Sequence, residues 1–384
     1  MKRFKDWGLL PKVLIAIATG ILCSFFFPDA LTRVFVTFNS IFSNFLGLFI
    51  PIIILGLIAP GIFELGKGAG RLLLITAGIA YLSTVLAGLF SYATCRLTYP
   101  ALLGDAAVSL GNIDMSAHEL KPYFVIGLSL IGIRGESFRN VMLELRDMVF
   151  LVIRKVIIPI LPIFIFGIFL KMGAEGNVGP VLGMFLKIIL IIFVMHITVL
   201  VLQFCIAGAI AGKNPFKALW TMLPAYVTAL GTQSSAATIP VTRAQVIKNG
   251  VNPDVADFVV PLCATIHMSC SILKIVACAY AISLSMGLDV SLGTYAGFVL
   301  MLGITMIAAP GVPGGAIMAA LGLLASMLGF DAGMQGLMIA LYIAMDSFGT
   351  AGNVTGDGAI SLIINKIKQK EKPGAKLEDS PVSA

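Results

Sequence analysis

The sequence predicts an all-α polytopic membrane protein, and three observations carry that prediction. The 384 residues are 58% hydrophobic, only 12% charged and have a mean hydropathy of +1.00, more apolar surface than one soluble core would absorb. Several apolar stretches approach or exceed the roughly 17–25 residues with which a helix crosses a bilayer. Glycine and proline are abundant, at 40 and 18. That fits membrane helices better than porin strands, which would alternate apolar and polar side chains.

Taken in order, the apolar segments fall at 8–29, 36–63, 71–97, 121–133, 148–170, 181–212, 217–241, 253–290, 292–328 and 333–365. The first, LPKVLIAIATGILCSFFF, lacks a following small-residue cleavage site and is read as a retained helix. With MKRFK on the cytoplasmic side, the bases recur there after alternate segments. Lys67 and Arg71 follow the second, Arg134 and Arg139 the fourth, and Lys213 and Lys217 the sixth. Arg243, Lys248 and the tail KIKQKEKPGAK fall on the same side, whereas 98–119 and 171–180 carry mostly acids. The positive-inside rule then predicts an even number of crossings, both termini cytoplasmic, and two segments that enter the membrane and return.

Four interruptions mark where the backbone opens. GTQSSAATIP closes segment 217–241, TIHMSCS lies inside 253–290, APGVPGG breaks 292–328, and MDSFGTAGNVTGDG opens the polar part of 333–365. Opened backbone at membrane depth persists only where protein, ions or a wet cavity satisfies its polar groups. Two re-entrant hairpins and two broken helices form a recurrent transporter design, in which helix ends and freed carbonyls hold substrate and cations near the midplane. Glycines that merely let helices pack closely are the plainer reading of any one interruption, though not of four.

In the last of these, Asp346, Thr350, Asn353 and Asp357 are spaced 4, 3 and 4 and share one helical face. The stripe runs about 16 Å down the axis. Carboxylates in hydrocarbon face a cavity and a counter-charge. Two acids three turns apart suit two separate cationic ligands, one a metal ion and the other an organic ammonium. A structural aspartate bonded to nearby backbone is the alternative for each.

Other classes are disfavoured. The six cysteines lie in or beside apolar runs without a CxxC, which suggests neither a metal cluster nor a disulfide framework. The formal charge of +7 is distributed by topology and is not a nucleic-acid footprint. No cluster of nucleophile, base and orienting residue suggests an enzyme.

Together these segments resemble the dicarboxylate/amino acid:cation symporters, the family of bacterial glutamate and aspartate transporters and of animal excitatory and neutral amino acid transporters. The resemblance covers nearly the whole chain in order: FIPIIILGLIAPGIFELGKGAGRL, then Tyr81 and Thr84, TQSSAATIPVT, FVVPLCATIHMSC, APGVPGGAI, and D-x-x-x-T-x-x-NVTGD. It implies eight transmembrane helices, two re-entrant helical hairpins and an elevator-type homotrimer in a bacterial-type inner membrane. Residues 1–71 would be scaffold helices 1–2, 72–97 the transport-domain helix 3, and 98–170 scaffold helices 4–5. Residues 171–212 would be transport-domain helix 6, 213–365 the transport core, and 366–384 a cytoplasmic tail.

The implied substrate site comprises Ser234 and Ser235 in the first hairpin tip, and Val312, Pro313 and Gly314 in the second. Asp346 would receive the substrate α-amino group, Asn353 its α-carboxylate, and Thr350 stands between them. Gly349 departs from the acidic amino acid transporters, where arginine clamps a side-chain carboxylate. Without it a second substrate carboxylate would be buried unpaired, which favours a small neutral amino acid. The implied coupling ion is sodium, with a proton as the alternative. Asp357, Asn353 and carbonyls near Cys263 and His267 would form one ion site, and backbone around Thr265 and Met268 with the second hairpin a second. Tyr81 and Thr84 are kept from the third, but His267 and Ser269 replace its asparagine and aspartate. His267 and Lys274 are therefore coupling candidates: Lys274 as a substitute for a lost ion or as a structural or snorkelling base, His267 as a proton carrier or a source of backbone geometry. The alternatives are a dicarboxylate or acidic amino acid symporter with Lys274 replacing the arginine, and an exchanger or anion-conducting homologue.

Overall fold

The computed structural model describes residues 9–42, 71–103, 136–174, 178–307 and 314–370, with 45, 49, 52 and 309 besides. All regular structure among them is helical. The helices are α1 (Leu9–Ser24), α2 (29–42), α3 (Arg71–Leu103), α4 (Glu136–Val152), α5 (Ile158–Ala174) and α6 (Val178–Ala211). After them come α7 (Pro215–Thr221), α8 (Leu223–Thr232), α9 (Ser235–Lys248), α10 (Pro253–Ile266), α11 (Ser269–Ser285), α12 (Leu292–Ile307), α13 (Gly315–Leu328), α14 (Ala332–Ala344) and α15 (Asp346–Lys370). The predicted segment 121–133 lies outside the described residues, as do Val312 and Pro313.

Four stretches are long and apolar enough to cross a membrane: Arg71–Leu103, Asn140–Ala174, Leu182–Ala211 and Pro253–Ser285. The pair α14 and α15 is a fifth when counted as one span bent by 61°. The protein is thus an all-α, multi-pass membrane protein with a re-entrant-like bent pair. Helix α3 runs on through Pro100 to Leu103, past the end at 97 that its apolar pattern predicts, and α4 joins α5 through the π-turn Ile153–Ile157. Leu82, Leu86, Leu97, Leu186, Leu190 and Val194 stand exposed on these spans, as lipid-facing side chains would.

The breaks follow from local chemistry. Helix α8 ends at Gln233, whose φ of +53° is left-handed, and Ser234 returns to extended geometry and caps α9 by accepting the Ala237 N–H at 3.3 Å. Helix α10 ends where His267 turns extended, its N–H on the Cys263 carbonyl at 2.9 Å, and α11 starts two residues later. Helix α14 stops at Met345, and α15 begins with Asp346 in its first turn, where an anion is favoured by the helix dipole.

Helix α15 is the hub, packing on α3, α6, α8, α9, α10 and α11, while α3 lies along α11. Two apolar clusters meet along it. One gathers α11 to α14 with α1, α5 and the ends of α3 and α6. The other gathers α7 to α10 with the far half of α15. The breaks at His267–Met268 and at Met345 fall near the seam between the clusters. That seam is the place in an oily core where polar side chains can meet.

Candidate functional site

The predicted polar stripe exists, and it is buried. Asp346, Thr350, Asn353 and Asp357 all lie on α15 with less than a tenth of their surface exposed. Facing them is the broken pair α10–α11, and the contacts form three rungs. As numbering rises along α15 it falls along α11 and α10, so the elements run antiparallel.

The first rung is an ion pair. The Lys274 Nζ donates to Asp346 Oδ1 at 3.0 Å, with no exposed surface on Lys274 and 7% on the aspartate side chain. The same ammonium lies 3.6 Å from the centroid of the Tyr342 ring and 3.4 Å from the Met345 carbonyl oxygen. The other carboxylate oxygen, Oδ2, accepts the backbone N–H of Gly314 at 2.7 Å, which ties the second hairpin to the same acid. A buried charge is tolerable only when paired and hydrogen-bonded. Both conditions are met here.

Gly349 makes this pair possible. A Cβ at 349 would lie 2.6 Å from the Lys274 Nζ, 2.9 Å from its Cε and 3.3 Å from its Cδ. The lysine tail therefore occupies the notch that the absent side chain leaves. Lys274 does not snorkel; its stem is enclosed by protein and its head by Asp346.

The second rung is Asn353. Its Oδ1 accepts the N–H groups of Cys270 at 2.8 Å and Ser271 at 3.3 Å, two amides of the first turn of α11, which have no partner within their own helix. Its Nδ2 donates to Ser271 Oγ at 2.8 Å, and the Tyr342 hydroxyl stands 3.4 Å from that same oxygen. Thr350 is turned away from this rung, its hydroxyl donating to the Asp346 carbonyl at 3.0 Å.

The third rung joins Asp357 Oδ1 to His267 Nδ1 at 2.9 Å, both side chains almost fully enclosed. The other imidazole nitrogen, Nε2, lies 3.2 Å from Ser83 Oγ on α3. Gln203 of α6 donates its Nε2 hydrogens to Ser83 Oγ and to Ser269 Oγ, each at 3.0 Å. Gly356 lets this ring approach, since a Cβ there would lie 2.7 Å from His267 Cε1 and from Gln203 Oε1. The position of His267 thus supplies a side chain to the carboxylate and not backbone geometry alone.

The remaining expected ion ligands do not converge. The Cys263 carbonyl is engaged by the His267 N–H, the exposed Thr265 turns its hydroxyl to the Leu262 carbonyl at 2.7 Å, and Met268 is buried in apolar packing. Tyr81 donates to the Leu300 carbonyl at 3.2 Å, and the buried Thr84 hydroxyl has no partner among the described residues. A sodium ion would need several oxygens at one point. Here the carboxylate meets an imidazole, and the Asn353 oxygen already takes two amide hydrogens. The described donors, as arranged, do not fit a sodium ion.

Ser83, Gln203, Ser271 and Tyr342 belong to the site and escape the sequence reading. Gln203 follows His196 by seven residues in an otherwise apolar helix, a same-face spacing that signals a buried polar seam. His196 lies one layer out, its Nε2 3.0 Å from the Cys270 carbonyl oxygen. Tyr342 precedes Asp346 by four residues, although the break at Met345 hides that relation.

The chain matches the family model described as the sodium:dicarboxylate symporter family over residues 9–125 and 120–367. It is 25% identical to the serine/threonine transporter SstT of Acinetobacter baumannii over 390 residues, covering 93% of this chain and 96% of that protein. The serine/threonine transporter SstT of Acinetobacter baylyi is also 25% identical, over 91% of this chain and 95% of the relative. The mouse excitatory amino acid transporter 3 is 36% identical over 160 residues, which are 41% of this chain and 30% of that protein.

Proposed function

The chain belongs to the sodium:dicarboxylate symporter family, and from that premise we propose that it carries a small neutral amino acid across a bacterial inner membrane, coupled to a cation gradient. It is a membrane transporter and not an enzyme. The observation that carries the substrate reading is the Lys274–Asp346 pair seated against Gly349. The pair sums to zero formal charge, and Lys274 is the cation paired with Asp346 among the described residues. A zwitterion, itself net neutral, suits such a site. The serine/threonine transporters that align along almost the full chain point the same way.

In this mechanism the substrate ammonium displaces the Lys274 head from Asp346 Oδ1. The displaced ammonium stays between the Met345 carbonyl and the Tyr342 face, both already within reach. Asn353 turns its amide toward the substrate α-carboxylate, aided by the N-terminus of α9 in the first hairpin. Gly314 of the second hairpin holds the other oxygen of Asp346 and closes the site. Movement of a neutral load by an elevator stroke, eight crossings with two hairpins, the scaffold and transport segments, cytoplasmic termini and a homotrimer are parts of the same proposal. Coupling is linkage, with cation and substrate each raising the other's affinity.

One observation favours a second reading. The Lys274 ammonium stands beside the place where a residue-349 side chain would start, so an acidic substrate able to draw it from Asp346 would find a cation there. Uptake into proteoliposomes separates the two. Labelled serine, threonine, alanine, aspartate and succinate are offered under sodium, proton and potassium gradients applied singly, and the driving gradient identifies the coupling ion. The proposal expects serine-sized neutral amino acids to accumulate and D346N to abolish their binding. Accumulation of aspartate or succinate without competition from neutral amino acids overturns it.

A further inference from the structure

The first hairpin, α8 and α9, is rooted at one corner of the molecule, built from residues that the polar ladder does not use. We propose that this corner binds one anionic phospholipid of the surrounding bilayer, with the lipid phosphate among Lys213, Lys217 and Lys248 and an acyl chain in a recess beside Trp220. The lipid would bind there whatever substrate or ion the protein carries.

The corner lies at the level of the bilayer surface because of where the chain turns. The apolar span Leu182–Ala211 ends at Gly212, whose φ of +68° is left-handed, and Asn214 caps the short helix α7 by accepting the Lys217 N–H at 3.0 Å. Ala218 and Met222 are buried, Met222 lying against Gly358 of α15. Phe216, Lys217 and Trp220 are left outside, the two aromatic residues 65% and 75% exposed. Helix α9, the returning limb of the hairpin, ends at Lys248, and the next residue docks on α7. The Asn249 Nδ2 donates to the Ala218 carbonyl at 2.9 Å, and the Asn249 carbonyl accepts from the Lys213 ammonium. Three lysines thus meet at one level. The Asn249 carbonyl is neutral, and no carboxylate pairs with any of the three among the described residues.

Beside these cations runs an apolar stripe. Phe216, Trp220, Leu223 and Val227 are exposed and spaced 4, 3 and 4, one face that continues from α7 into α8 for about 16 Å. The stripe borders a recess of about 610 Å³ lined by Trp220, Thr221, Leu223, Pro224, Val227 and, from α9, Gln245. Contact with lipid chains alone would require only the stripe. Tryptophan favours the membrane–water boundary, and each basic residue near an anionic surface strengthens binding to it, so the corner also meets the needs of a headgroup. A free phosphate would satisfy the lysines and leave the stripe uncovered. A zwitterionic lipid would cover the stripe and leave the lysines unbalanced. An anionic phospholipid does both, and it would brace the foot of the hairpin whose tip carries Ser234.

Two measurements on the full-length protein test this. In native mass spectrometry, phosphatidylglycerol and phosphatidylcholine with the same acyl chains are offered at equal concentration. The wild type should retain phosphatidylglycerol over phosphatidylcholine by about tenfold or more. K217Q and K248Q, both at exposed positions, should each cut that preference about fivefold, the scale of one basic residue at an anionic surface. V227W fills the recess and should lower retention of both lipids. Equal retention of the two lipids by the wild type overturns the proposal, as does a preference that both lysine variants leave intact or a retention that V227W leaves intact. The second measurement replaces Trp220 by benzoylphenylalanine and irradiates the protein in its native membrane. A phospholipid adduct is expected, richer in anionic headgroups than the membrane as a whole. A cross-link to another part of the chain or to a second copy means that protein covers the corner, and that result also overturns the proposal.

Discussion

Replacing Gly349 by alanine tests the packing of the ion pair against the notch. The new Cβ would meet the lysine Nζ at 2.6 Å, so the ammonium must retreat by about 0.8 Å to reach an ordinary 3.4 Å contact. If the retreat lengthens the 3.0 Å pair to about 3.8 Å, the attraction falls from about 5.5 to about 4.4 kcal/mol at an effective dielectric constant of ~20. The charge-assisted hydrogen bond, worth about 1.5–3 kcal/mol, is then also stretched beyond range. These two figures overlap, so the loss lies between about 1 and 3 kcal/mol. Alanine in place of glycine returns up to about 1 kcal/mol of helix propensity, and less in a first turn. The net expectation is a destabilisation of about 1–2 kcal/mol.

The decisive comparison is with K274M, whose uncharged, flexible tail can swing away from the new methyl group. There G349A has no ion pair to stretch, and the propensity gain should make it neutral or stabilising. Reversible SDS unfolding of wild type, both single variants and the double variant gives a coupling energy, expected at about 1–3 kcal/mol. Equal effects of G349A in the two backgrounds would refute the claim that the notch exists for the ammonium.

Three further outcomes follow from other parts of the site. D357N replaces the carboxylate facing His267 Nδ1 by a neutral amide, which weakens a charge-assisted hydrogen bond, and should destabilise by about 1–1.5 kcal/mol while abolishing accumulation against a gradient; undiminished steady-state uptake would sink the coupling role. S234A deletes the cap on α9 and should cost about 1 kcal/mol, read as a shift in the unfolding midpoint, with weaker binding of serine alongside it. Asp289, in the loop before α12, accepts hydrogen bonds from the Thr294 and Ser291 hydroxyls and from the Ser291 N–H, which hold its carboxyl below the usual range. Its folded pKa is depressed, so its contribution is present above the unfolded carboxylate value of about 3.9 and is lost as pH falls through the folded one. D289N should therefore flatten the acid limb of a stability–pH curve, and an unchanged limb would contradict the assignment.

Much of this arrangement is legible in one dimension because it depends on local periodicity. The 4, 3, 4 spacing places the stripe of α15 on one face, and TIHMSCS marks the break between α10 and α11. Gly349 is legible too, as a missing fork. The partners are not. Lys274 and Asp346 are separated by 72 positions and His267 and Asp357 by 90, and only the antiparallel packing of α11 and α10 against α15 sets their register. A lysine in an apolar helix reads equally well as a snorkelling base until its head is seen in the notch. Ser83 and Gln203 are hidden for a different reason. A single hydroxyl or amide in a long apolar helix usually bonds its own backbone or a neighbouring helix, so neither stands out until both are found beneath His267.

The register also explains why two acids eleven residues apart can belong to one device. Lys274–Asp346 and His267–Asp357 are the end rungs of a ladder, and Asn353 is the middle one, binding two first-turn amides of α11 that lack intrahelical partners. The three rungs share the same two uprights. If a substrate ammonium pulls Asp346 free of Lys274, the constraint that aligns α11 with α15 is relaxed at one end. Asn353 must then give up amides or carry the shift onward. If it carries the shift, His267 moves relative to Asp357, and the end of the site where a cation would be sensed is altered without touching the substrate. A second hydrogen-bonded arrangement of such a ladder would meet the physical requirement for coupling between two sites. In the proposed mechanism, the two ion-paired rungs that balance the buried acids would then be the link through which substrate and cation depend on each other.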